Sequence, residues 1–83
     1  MILMVARNGC ADCAAFKAKT KLDFTPFYEG VTICETLKDY AAQAMARAAF
    51  KGHMELPILA EVDDGRVVRI GKHGGEGRVE WLQ

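Results

Sequence analysis

The chain has 83 residues, 51% of them hydrophobic and 27% charged, and its eleven basic and eleven acidic side chains cancel. That length supports one small domain over residues 1–83, with a single core and roughly 60–65% of the extended-chain surface buried. Neutrality removes the electrostatic case for nucleic acid or an anionic membrane as main partner, and no run reaches the ~20 apolar residues of a bilayer span.

Ile2-Leu3-Met4-Val5-Ala6 follows Met1 directly. The run is too short and too uncharged at its start for a signal peptide, so a cytoplasmic location is expected; a monomer is the separate expectation for its assembly. A continuous apolar run bounded by Arg7-Asn8-Gly9 reads as a central strand covered on both faces. Cys10-Ala11-Asp12-Cys13 comes next, where strand gives way to helix. A thiol at a helix N-terminus meets unpaired N–H groups and the positive end of the helix dipole, which favours its thiolate. With three cysteines in all, the chain is not a disulfide-stapled secreted scaffold. In a reducing compartment such a pair is catalytic or metal-binding.

The first helix is expected from Ala11 to about Leu22, with Ala11, Ala15, Ala18 and Leu22 as its apolar stripe. Pro26 ends it, and Phe27 to Ile33 reads as a strand weakened around Gly30, with Val31 and Ile33 on one face. Thr36-Leu37-Lys38-Asp39 has the form of a capping box. It opens a second helix that buries Leu37, Ala41, Ala44 or Met45, and Ala48, and stops at Lys51-Gly52. Pro57 leads into Ile58 to Val62, and Asp64-Gly65 predicts a hairpin with Arg66 to Ile70. Gly71 to Gln83 is read as a loop with one or two helical turns. A right-handed crossover makes the first two strands parallel, and the β-α-β-α-β-β order implies a mixed four-stranded sheet with helices on its faces and a short or truncated C-terminal helix.

That order, with C-x-x-C opening the first helix and a proline opening the third strand, resembles the thioredoxin fold in its shortest form, and glutaredoxins most closely. Arg7-Asn8-Gly9-Cys10-Ala11-Asp12-Cys13 is similar to that family's active-site run, Leu56-Pro57 to its cis-proline, and Gly74-Gly75 to its double glycine. The resemblance implies a thiol–disulfide oxidoreductase acting on protein or low-molecular-weight disulfides. Cys10 would be the exposed nucleophile and Cys13 the buried resolving thiol. Arg7, Leu56, Pro57, Gly74 and Gly75 would bind substrate, and no cofactor would be bound. Glutathione or a reductase would be the electron donor. Ala-Asp replaces the family's Pro-Tyr between the cysteines, Glu55 stands two before the proline where the family has threonine, and no aspartate follows Gly75. Asp12 tunes the pair: a carboxylate near Cys10 disfavours the thiolate and makes a reductant rather than an oxidant.

Two other classes stay open. One is a thioredoxin-fold interaction module whose dithiol is idle or regulatory. The other is a metal carrier, for which Cys34, His53 and His73 are the remaining ligands, none of them with a second ligand at metal-typical spacing. Cys34 is expected to be buried and inert, His53 to cap the second helix, and His73 to be solvated in a glycine-rich loop.

Overall fold

The computed structural model describes residues 1–82. Its elements are β1 (Ile2–Ala6), α1 (Ala11–Lys19), β2 (Thr25–Tyr28), α2 (Glu35–Phe50), β3 (Ile58–Asp63), β4 (Arg66–His73), a 3-10 turn (Gly75–Gly77) and β5 (Val79–Leu82). They form a mixed α/β structure around one five-stranded sheet of order β2-β1-β3-β4-β5. β1 and β2 are parallel, and each remaining neighbouring pair is antiparallel. The expected four strands are therefore five. The C-terminal segment makes only the short 3-10 turn before pairing with β4 as a strand, and Gln83, the last residue of that expectation, lies outside the described residues.

Alternation along β1 divides the core. Leu3 and Val5 point to one face with Ile58, Ala60, Val62, Val67 and Ile70, where α2 lies on them through Ala41, Ala44 and Ala48. Met4 and Ala6 point to the other, joined by Leu59 and by Cys13 and Phe16 of α1. Small side chains on α2 let a 16-residue helix lie close to the sheet. Val67 and Ile70, three apart, share a face because the β3–β4 ladder shifts between Glu61 and Val62. Val68 is the extra residue of this bulge and stays 39% exposed.

Several boundaries differ from expectation for local reasons. α1 ends at Lys19 rather than near Leu22, because Thr20 turns extended and its Oγ1 accepts the Leu22 N–H at 3.3 Å. Its buried face is Cys13 and Phe16, not the alanine stripe, since the bulky side chains determine which face gains most from burial. β2 stops at Tyr28. The Tyr28 carbonyl accepts from the Val31 and Thr32 N–H groups, and its own N–H donates to Thr32 Oγ1 at 2.9 Å. This turn leaves Val31 and Ile33 in solvent, Ile33 at 83% exposure.

α2 begins one residue before Thr36, with Cys34 as its N-cap and no side-chain capping bond, so the capping box does not form. At the other end the stop is as expected: Gly52 has φ +74° and the His53 N–H reaches back to the Ala48 carbonyl at 2.8 Å. His53 thus caps the helix through its backbone. Asp64 and Gly65 both have positive φ, the geometry of the expected tight hairpin.

β5 packs through Val79 and Trp81 against the α1 face. Trp81 pairs across the ladder with Gly71, where an added Cβ would press on the indole and on Val79. The missing side chain is what admits the ring. The Arg69 guanidinium covers Trp81 at 4.0 Å from the ring centre and donates through Nε to Glu61 at 2.6 Å.

Candidate dithiol site

β1 ends at Ala6, and the chain must turn sharply to start α1. Gly9 takes φ +81°, and the Cys10 N–H closes the turn onto the Arg7 carbonyl at 3.3 Å. Cys10 then occupies the N-cap of α1. Cys10 and Cys13 are joined as a disulfide with their Cα atoms 5.3 Å apart. The Cys13 N–H donates to Cys10 Sγ at 3.1 Å, so one of the helix's unpaired N–H groups is aimed at sulfur. Cys13 is buried beneath α1, and Cys10 is only half-buried. Of the two sulfurs, the Cys10 side is the one an incoming molecule reaches.

The segment before β3 faces this pair. Leu56-Pro57 is cis, Pro57 is buried, and the Leu56 carbonyl oxygen lies 3.9 Å from Cys10 Sγ. Asp12 is exposed on α1 and lines a cleft of about 330 Å³ with Lys19, His73, Gly74, Gly75 and Glu76. Gly74 and Gly75 belong to a closed loop: the Gly74 N–H donates to the Arg78 carbonyl at 2.7 Å, and Arg78 returns its Nε to the Gly75 carbonyl at 3.1 Å. Gly77 fixes the loop under the helix, because at φ +72° an added Cβ would collide with the Lys19 and Thr20 backbone.

The structure therefore brings Leu56 to Cys10, and Gly74 and Gly75 to the cleft beside Asp12. Arg7 is exposed, outside that cleft, and without a side-chain hydrogen bond or ion pair among the described residues. Three further expectations change. Cys34 is exposed, not buried, because the early end of β2 carries it out of the sheet to the start of α2. His73 is the last residue of β4 and half-buried, since β5 extends the ladder past it. With His53 it lines a second cleft that also holds Glu55, Lys72 and Glu80. Among the described residues no group of three or more His, Cys, Asp or Glu side chains is placed to hold a metal ion.

Lys19, Glu76 and Trp81 escaped the sequence reading. The series Asp12, Ala15, Phe16, Lys19 was the available signal, one helical face spaced i, i+3, i+4, i+7. No helix of the described residues is long and apolar enough to cross a membrane. The chain matches no family model, no curated protein and no solved structure.

Proposed function

We propose that this chain is a thioredoxin-like domain of glutaredoxin type and that it reduces protein or low-molecular-weight disulfides through Cys10 and Cys13. The observation that carries the reading is the asymmetry of the pair: a half-buried Cys10 that receives a helix N–H and stands beside the Leu56 carbonyl, backed by a buried Cys13. The β2-β1-β3-β4 part of the sheet and the Leu56-Pro57 segment beside Cys10 support the fold assignment.

In the reduced protein the Cys10 thiolate attacks one sulfur of the substrate disulfide. A mixed disulfide forms on Cys10, and the first substrate thiolate leaves. Cys13 then gives up its proton and attacks Cys10 Sγ, releasing the second substrate thiolate and restoring the Cys10–Cys13 bond. Two electrons pass from the dithiol to the substrate. A low-molecular-weight thiol such as glutathione, or a dithiol reductase, returns them.

The Cys13 N–H stabilises the attacking thiolate, while Asp12 in the first turn opposes it and favours a reducing role. Backbone groups around Leu56 are suited to hold an extended substrate in strand fashion. The test is single-turnover reduction of a glutathione mixed disulfide by the pre-reduced protein. Cys10→Ser abolishes it and Cys13→Ser traps the mixed disulfide.

A redox-silent or regulatory interaction module is the second reading, favoured by Ile33 and Phe50 standing 83% and 93% exposed. Alkylation of reduced Cys10 no faster than that of exposed Cys34 decides for it.

A further inference from the structure

The cleft beside Asp12 does not end at α1. A second cleft, of about 570 Å³, lies beyond it, with Leu22, Val79 and Trp81 as its apolar part and Lys21 and Arg78 as its cations. Glu76 and Gly77 line both, so the two are one trough. It starts at Asp12, which lies between the two cysteines in the first turn of α1, follows one face of α1 past Lys19, and opens over β5. α1 has nine residues, which at 1.5 Å each is about 13 Å of helix. An extended peptide covers that distance in about four residues.

Chemistry changes along the trough. The cleft at Asp12 is smaller and also holds Lys19, His73 and Glu76, whereas the far one is larger and more apolar, with Lys21 and Arg78 at its edge. Glu76 is the one carboxylate of the far cleft, and the two cations Lys21 and Arg78 outnumber it there. Leu22 is 41% exposed and Trp81 only half-buried, leaving apolar surface for a ligand to cover. A small thiol compound reaching Cys10 would leave that far end empty.

We infer that the substrate is a protein disulfide presented on an extended segment, with an apolar residue followed by an acidic one about four residues from the reacting cysteine. The apolar side chain lies on Leu22, Val79 and Trp81, and the acidic one faces Lys21 and Arg78. The inference rests on the dithiol reading above. The exchange is the one already balanced: the peptide sulfur bonds to Cys10, the other half of its disulfide leaves as a thiolate, and Cys13 releases the peptide.

The probes are three nonapeptides, each with one cysteine as a mixed disulfide with 5-thio-2-nitrobenzoate and with Phe-Asp, Phe-Lys or Gly-Ser four residues away on either side. Single-turnover release of the coloured thiolate by the pre-reduced full chain is expected to be about tenfold faster for Phe-Asp than for Gly-Ser. Phe-Lys falls between them or below. Lys21→Glu reverses the order of the Phe-Asp and Phe-Lys peptides while leaving the rate with a glutathione mixed disulfide unchanged. Equal rates for all three peptides overturn the inference and leave the redox reading standing.

Trp81 is the only tryptophan of the chain, so its fluorescence reports occupancy without any chemistry. Serine versions of the peptides should change its emission in the same order. A response without disulfide exchange overturns the redox reading and keeps the trough as a peptide site. No response from any peptide overturns the trough.

Discussion

The two faces of the sheet are built differently. On one, α2 covers β1, β3 and β4 with alanines, and the buried residues form a cluster of eleven with Leu3, Val5 and Ile58 among them. On the other, α1 is little more than half as long, the buried cluster among the described residues has five members, and partly buried side chains, among them Phe24, Tyr28, Leu56 and Val79 and Trp81 of β5, supply the remaining cover. The long, tightly covered face carries the stability. The short-helix face leaves room for a half-buried sulfur, a carbonyl beside it and a trough. A sheet has two faces, and here one is closed by a long helix while the other is left more open.

That division can be broken from the closed side first. Leu3→Ala removes a fully buried side chain facing α2 and is expected to cost about 2–5 kcal/mol in urea unfolding, while reduced Cys10 keeps its alkylation rate under conditions where the variant is folded. Gly77→Ala attacks the open side where the loop meets α1. The collision with the Lys19 and Thr20 backbone, added to a positive φ, should cost about 2–4 kcal/mol. Gly30→Ala is its control, with the same sign of φ but nothing within 4 Å of the added carbon, and is expected to cost only about 1–2 kcal/mol.

Smaller effects sharpen the contrast. Arg69→Ala uncovers Trp81 and removes a partly exposed ion pair, so a loss of about 1 kcal/mol or less is expected, with a shift in Trp81 emission as the local readout. Asp12→Asn leaves both faces packed and removes the carboxylate in the first turn of the helix that Cys10 caps. Alkylation of the reduced protein below neutral pH should speed up by about two- to fivefold, the scale of one exposed charge interaction.

What the sequence disclosed follows the same division. β1, the β3–β4 hairpin and the stop of α2 were legible because each is coded locally, by an unbroken apolar run, by Asp64-Gly65 and by Gly52. The dithiol and the proline segment were legible for the same reason. β5 was not, since Val79 and Trp81 become a strand only when Gly71, on another strand, leaves a space for the indole. The end of β2 depended on Thr32 folding back on Tyr28, a competition between side-chain and ladder hydrogen bonds that alternation does not reveal. Cys34 followed that error into the wrong environment. The trough combines residues from α1, the segment after it and β5, and no single window of sequence contains it.

The bulge in β4 makes a statement about chain length. Inward-facing positions on an unbroken strand are separated by even steps, yet Val67 and Ile70 are an odd step apart and both face α2. Val68 absorbs the odd residue. Deleting it would bring Val67 and Arg69 into sequence as neighbours opposite Val62 and Glu61, the partners they already have. The hairpin is therefore specified by its pairs and not by its residue count, and position 68 is where this fold can lose a residue without changing which side chains it buries.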